Sequence, residues 1–406
     1  MLTFLQTHQE ILLYLLIPII SALVGWGTNV LALKMTFYPT DFWGIPPSLG
    51  WQGIIPSKAG VMAEKAVDLM TSKLIDVQEV FERMDPDKVL QEIGPELQRI
   101  NKTIIDEVMR SQLNTAWKLV PKPLKKQIYQ QASAEMPFIV KEFMAEMKVH
   151  IEDLFDVKEM VVTSLTKDKD LLNDIFLKVG DQEFKFIERS GLFFGFLFGL
   201  IQMGICIFYN PPWMLPLAGI LVGYATNWLA LKLIFEPLEP KKVGKWTLQG
   251  LFMKRQEQVA IEYAAIISSN ILTVPNIFEA IQKGPAADQL TQMIQKYVNK
   301  AVDTAAGNIK ETIQLSVGGE RYQVVKNIAC WSMVQELPMI IGHVYDYAEE
   351  ALDIEHTLSS RMMALSPAEF QGFLRPVFQE DEAKLIAVGA ALGGLAGLMQ
   401  AYFFFG

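Results

Sequence analysis

Cysteine is almost missing from this chain: its 406 residues include only Cys206 and Cys330, too few for a disulfide framework. Histidine is as scarce, with four residues scattered where a metal site would cluster them. Charge is thin, at 20% of residues against roughly 25% in ordinary soluble domains. There is no basic excess either, since 36 Lys and Arg face 45 Asp and Glu for a net charge of −9. Such a chain has no surplus cation to displace counterions from phosphates, which argues against nucleic acid as a partner. The patterns Gly-x-x-x-x-Gly-Lys-Ser/Thr, His-Glu-x-x-His, Cys-x-x-Cys and Gly-x-Ser-x-Gly do not occur. The chain is therefore read as a non-enzyme, with no catalytic residue, cofactor or metal assigned. Cys206 falls in an apolar run and Cys330 in a helical stretch, where a thiol serves as a small apolar side chain. His343, Asp346 and Glu350 share a helix face with His356 nearby, a pattern read as solvated surface.

Apolar residues are what the chain has in quantity: 51% of it, with a mean hydropathy of +0.22. That excludes a disordered chain. The excess sits in four runs without a charged side chain: Ile11 to Leu33, Gly191 to Tyr209, from near Trp213 to Leu231, and Leu385 to Gly406. Nineteen residues of helix rise roughly 28 Å, close to the hydrocarbon thickness of a bilayer, so each run is long enough to span. The first run lacks a basic leader and exceeds the length of a signal-peptide core, so it is expected to be a retained anchor. Asn210-Pro211-Pro212 is an uncharged tight turn that should join the second and third spans as a hairpin. The expected division is residues 1–37 as first span, 38–190 as a helical soluble domain, 191–209 as second span, 213–236 as third span, 237–384 as a second helical soluble domain and 385–406 as fourth span.

The chain repeats itself. Gly25-Trp-Gly-Thr-Asn-Val-Leu-Ala-Leu-Lys-Met-Thr-Phe-Tyr-Pro39 aligns with Gly223-Tyr-Ala-Thr-Asn-Trp-Leu-Ala-Leu-Lys-Leu-Ile-Phe-Glu-Pro237, nine of fifteen positions being identical at an offset of 198. Pro18 and Pro216 extend the match upstream, and Gln52-Gly53 pairs with Gln249-Gly250 downstream. Glu135-Met-Pro137 resembles Glu336-Leu-Pro338 in mid-domain. Gly191, Gly195, Gly199 and Gln202 match Gly389, Gly393, Gly397 and Gln400, again at 198. Each half reads as span, helical domain, span, giving an all-α membrane protein with four transmembrane helices in a tandem repeat. With two spans per half, both halves enter the membrane in one direction, so the repeat is parallel. Lys241, Lys242, Lys245, Lys254 and Arg255 follow the third span, Lys178, Lys185 and Arg189 precede the second, and Lys384 opens the fourth. The amino-terminal tail, the hairpin and the carboxyl end carry no Lys or Arg. This asymmetry predicts cytoplasmic domains and both termini outside.

Both soluble parts read as helical. Val61, Met62, Ala66, Leu69, Leu74, Val77, Val80, Phe81 and Met84 follow a 3.6-residue period, and Leu90, Ile93, Leu97, Ile100, Ile104 and Val108 carry another stripe. Asp85-Pro86 predicts a helix start, Pro121 and Pro123 a break, and Ser366-Pro-Ala-Glu369 a capping box. No alternating strand pattern of useful length occurs.

The paired Gly-x-x-Thr-Asn-x-Leu-Ala-Leu-Lys segments, each followed by a Gln-Gly element, resemble domain-of-unknown-function family 445 (DUF445), a group of bacterial membrane proteins. The resemblance covers essentially the whole chain and implies an integral inner-membrane protein, without supplying an activity. One departure is visible. The Ile-Pro element of the family stands as Ile55-Pro56-Ser57-Lys58 in the first copy but as Phe252-Met253-Lys254-Arg255 in the second.

On a helix, Ser21, Gly25, Thr28 and Ala32 share one face, as do Gly219, Gly223, Thr226 and Ala230. Small faces of this kind, with the glycine stripes 191/195/199 and 389/393/397, predict close span packing. Asn29 and Asn227 lie within apolar runs and need partners, so each is expected to bond across to another helix. Lys34 and Lys232, five residues on, can reach the interface. A sharper reading has Thr28, Asn29, Thr226 and Asn227 lining a polar intramembrane site. The leading functional expectation is a non-enzymatic scaffold presenting two helical domains at the cytoplasmic face, with the bilayer and a protein partner or bound lipid as its contacts. The alternative is a small transporter or lipid-handling protein whose path lies at the interface between the two repeats.

Overall fold

Each of the four apolar runs is carried by a long helix: Leu2–Phe37, Asp181–Phe208, Met214–Phe235 and Glu382–Phe405. Each holds a stretch of 21 to 28 residues that is long and apolar enough to cross a membrane. Two shorter helices, Gln256–Asn270 and Val274–Lys283, reach that apolarity only when taken together across their break. The computed structural model describes residues 2–45, 49–209, 211–307, 319–379 and 382–405, so Asn210 of the expected turn lies outside the described residues.

Helix dominates the described chain, with two small exceptions. Trp43–Ile45 pairs antiparallel with Leu49–Trp51, and Lys241–Val243 with Trp246–Leu248. Strands of three residues are too short to leave an alternating pattern, which is why none is legible in the sequence. Each hairpin follows a span helix that stops before a cis proline, at Tyr38-Pro39 and Glu236-Pro237. The Gln-Gly element then brings the chain back to the end of the span. Gln52 Nε2 donates to the Thr40 carbonyl and the Gly53 N–H to the Pro39 carbonyl, both at 2.8 Å. Gln249 and Gly250 repeat this on Leu238 and Pro237 at 3.1 and 2.9 Å. A Cβ on Gly53 would lie 2.7 Å from the Phe37 carbonyl carbon, and one on Gly250 2.8 Å from that of Phe235, so the close return requires glycine.

The chain forms two compact units, which cut across the expected segments 38–190 and 237–384. One unit contains residues 1–74, 161–267 and 358–406, and the other residues 75–160 and 268–357. Each unit therefore draws on both halves of the sequence.

In the first unit the spans pair antiparallel, first with second and third with fourth. The pairing runs along the small residues. A Cβ on Gly25 would lie 2.5 Å from the Gly191 carbonyl oxygen, one on Gly195 2.5 Å from that of Ser21, and one on Gly199 2.6 Å from Pro18 Cα. The other pair meets in the same order: Gly223 against Gly389, Gly219 against Gly393, and Gly397 against Pro216. The unit also buries a charged pair. Arg255 Nη1 donates to both Glu183 oxygens at 2.7 and 2.9 Å, with the two side chains 14% and 1% exposed. Charges this far from water are tolerable only as a pair. Outside the spans, Ser366 and Glu369 form the expected capping box. The Ser366 N–H donates to Glu369 Oε2 at 3.0 Å and the Glu369 N–H to Ser366 Oγ at 3.3 Å, ahead of helix Pro367–Gln379. The Ser366 hydrogen bonds, then Lys73 at 3.1 Å, hold the Glu369 carboxyl down at about 2.

The second unit is built on four long helices: Pro86–Leu119, Lys122–Val149, Ala287–Ala306 and Gly319–Gly342. The first starts as its Asp-Pro pair predicts, with Asp85 Oδ1 accepting from the Asp87 N–H at 2.9 Å and Pro86 in the opening turn. Each helix packs on two others, closing a ring in which Pro86–Leu119 neighbours Lys122–Val149 and Gly319–Gly342, while Ala287–Ala306 completes the circle.

Two measurements check this packing. Gly25→Leu should lower the melting temperature of the full chain in detergent, because overpacking of this kind costs about 1–3 kcal/mol. Gly27→Leu, two residues away with nothing within 4 Å of its Cβ position, should leave it unchanged. The Glu369 carboxyl is depressed in the folded state, so its contribution is full above the unfolded value of about 4.3 and disappears as pH falls toward about 2. Melting curves across that window should show a pH dependence that Glu369→Gln reduces.

Candidate functional site

The Thr-Asn motif is positioned by the glycine contacts beside it. Asn29 is fully buried and its Nδ2 donates to the Ile187 carbonyl at 2.6 Å. Asn227, equally enclosed, donates to the Leu385 carbonyl at 2.9 Å. Both bonds join partners 158 residues apart, and the two donors and the two acceptors each differ by the offset of 198. Thr28 and Thr226 turn back on their own helices, donating to the Gly25 and Gly223 carbonyls at 3.0 and 3.3 Å. The structure thus brings each asparagine to the backbone of the span helix it packs against, while the threonines serve their own helices. The Oδ1 atoms of Asn29 and Asn227 are buried without a hydrogen-bond partner among the described residues. Lys34 and Lys232 are exposed, and Lys232 Nζ lies 4.9 Å from the centre of the Trp228 ring. An amide donor on a carbonyl supplies adhesion between the paired spans.

A larger feature lies in the second unit. The four-helix ring lines an apolar chamber of about 570 Å³ that is partly open to the surface. Ile93, Leu97, Ile104 and Val108 of the predicted stripe line it, so that stripe faces the chamber as well as the core. Six methionines contribute, Met84, Met109, Met136, Met144, Met147 and Met333, whose flexible side chains adapt to irregular contents. Polar groups are few. The chamber wall takes two helices from each half of the chain.

The seams between halves are polar. Lys296 Nζ is 2.5 Å from Glu146 Oε2, Lys300 pairs with Glu142, and Tyr297 Oη donates to Glu146 Oε2 at 2.6 Å. Across the ring, Arg99 Nη2 lies 3.2 Å from Glu336 Oε2, and Ser332 Oγ donates to Glu107 Oε2 at 2.8 Å. Burial first, and then the hydrogen bond to Glu146, push the Tyr297 hydroxyl up to about 12. Hydrogen bonds from Lys296 and Tyr297 hold the Glu146 carboxyl below its usual range. Tyr322, which lines the chamber and donates to Asp303 at 2.9 Å, is raised by burial and by that carboxylate. The chamber was not legible from the sequence, because core and cavity positions share one helical period.

Part of the chain is similar to curated bacterial membrane proteins. A UPF0754 membrane protein of Shouchella clausii is 28% identical over 117 residues, 27% of this chain and 31% of the relative. One of Exiguobacterium sibiricum is 34% identical over 85 residues, 20% of this chain and 22% of the relative. One of Cyanothece sp. is 31% identical over 91 residues, 22% of each. The matched segment therefore spans about a quarter of the length of these relatives. No family model and no solved structure matches. With four helices apolar enough to cross a bilayer, a duplicated Thr-Asn motif and these similarities, the chain is a helical membrane protein, part of which is similar to UPF0754 membrane proteins.

Proposed function

We propose that the protein is a lipid-handling membrane protein of two homologous halves, which together form one binding body outside the bilayer. The observation that carries this reading is the apolar chamber between helices of both halves. Its size falls within the range of ligand pockets, about 300–1,000 Å³, and is well above the roughly 150 Å³ that suffices for benzene. An acyl chain matches walls of this chemistry, and the bilayer holding the spans is a source of one.

The parallel duplication is supported by contacts that recur at 198 residues: the two asparagine bonds and the two glycine seams. The lysine distribution supports placing the body in the cytoplasm, with the spans in the inner membrane and both termini outside. Binding without catalysis fits a site of hydrocarbon walls. The Thr-Asn pairs are taken as clamps that hold the spans. The scaffold reading ranks second, because the chamber lies where the lipid-handling alternative has its path, between the repeats.

Saturable binding of cis-parinaric acid to the delipidated full-length protein tests the reading. Ala329→Trp and Ala301→Trp, which project into the chamber, should weaken binding at least tenfold while the variants melt cooperatively. Absence of saturable binding by the wild type, or undiminished binding by both folded variants, would contradict it. The clamps have their own check. Asn29→Ala and Asn227→Ala should each cost about 1 kcal/mol, the scale of such bonds in membranes, and by similar amounts. Loss confined to one half would argue against a shared architecture.

A further inference from the structure

The two halves differ at one place where their common design makes them comparable. At the end of the first pair of spans, Phe37 packs edge-on against Phe184 with ring centroids 5.1 Å apart. At the offset of 198 the corresponding residues are Phe235 and Glu382, so the second ring of that pair is replaced by a carboxylate. Phe235 stacks instead on Phe252, at 5.4 Å and 28°. Phe252 stands in the element where the second copy departs from the first, at the position taken there by Ile55. Among the described residues, the ring contact of the second copy therefore lies with Phe252 and not at position 382.

Position 382 lines a cleft of about 150 Å³. Its polar lining is Lys232, Glu236, Arg375 and Glu382, with Trp228 beside them. The first half carries Val30, Tyr38, Leu177 and Phe184 at the positions of Trp228, Glu236, Arg375 and Glu382, so Lys34 alone of its five residues is charged. The charges in the cleft are loosely engaged. Arg375 Nη1 lies 3.7 Å from Glu236 Oε1, beyond hydrogen-bond reach, in contrast to the 2.7 Å of the buried Arg255–Glu183 pair. Lys232 is the first charge after the apolar run of the third span, which sets the cleft at the level of lipid headgroups.

We propose that this cleft binds the headgroup of a phosphatidylethanolamine-type phospholipid. A phosphate monoanion matches Arg375 and Lys232, since guanidinium and ammonium donors form strong charge-assisted bonds to phosphate oxygens. A primary ammonium matches Glu236 and Glu382, to which it can donate three hydrogen bonds, and the Trp228 face attracts the same cation. A choline headgroup has the charge but no donors, and a glycerol headgroup has no cation. The site is distinct from the chamber, which lies in the other unit, and either can stand without the other.

Delipidated full-length protein in detergent tests it, with thermal shift and native mass spectrometry reading dioleoyl phosphatidylethanolamine, phosphatidylcholine and phosphatidylglycerol. Phosphatidylethanolamine should bind at least tenfold more tightly than the other two. The variant Glu236→Tyr, Arg375→Leu, Glu382→Phe, which installs the first half's residues, should lose that preference while Lys34→Leu keeps it. If the triple variant does not fold, Arg375→Gln and Glu382→Gln should each weaken binding at least threefold. Equal binding of the three lipids, unchanged binding by the folded variants, or binding of free O-phosphoethanolamine as tightly as the lipid would overturn the proposal.

Discussion

Helices in hydrocarbon gain no hydrophobic stabilisation from burying apolar surface against one another, so their association rests on close packing and interhelical hydrogen bonds. The glycine seams supply that packing here, and the asparagine clamps depend on them. A Cβ on Gly191 would lie 2.9 Å from Asn29 Nδ2, and one on Gly389 would collide with Asn227. Any larger residue at either position would push the amide off the carbonyl that it reaches. The Gly-x-x-x-Gly stripe of one span and the Thr-Asn motif of the other are therefore one device, although they stand far apart in sequence.

The two copies have not kept everything. Ser21 Oγ donates to Gln202 at 3.2 Å in the first pair of spans. Glycine replaces that serine at position 219 and takes away this donor to the Gln400 oxygen; separately, Gln400 Nε2 is buried without a partner among the described residues. In the opposite sense, the first copy fills with Phe184 the place that the second leaves to charge. The seams that hold the spans persist while their ends diverge, as expected when packing constrains the seam glycines and little constrains the interface.

The spans, the duplicated motif, the Asp85-Pro86 start and the Ser366–Glu369 cap were all legible, because each rests on a local pattern or a run length. The partner carbonyls of Asn29 and Asn227 were not, since nothing local points from residue 29 to residue 187. The expected segments 38–190 and 237–384 are helical, yet each contributes to both compact units. Sequence periodicity reports which face of a helix is apolar and not which helix covers it, so the ring built from both halves could not be read. The Gln-Gly element was visible as a match, but its job, pinning a returning loop to the end of a span, needed the coordinates.

The central claim is that both halves deliver their helices to one body on one side of the membrane. Cross-linking in native membranes tests it most directly. In a chain whose Cys206 and Cys330 are replaced, cysteine pairs at 142 with 300 and at 99 with 336 occupy the two seams between halves. The account predicts that a short bifunctional thiol reagent links both pairs within one chain. Halves inserted in opposite directions, or domains folded apart, would leave both pairs unlinked, and that result would contradict the account.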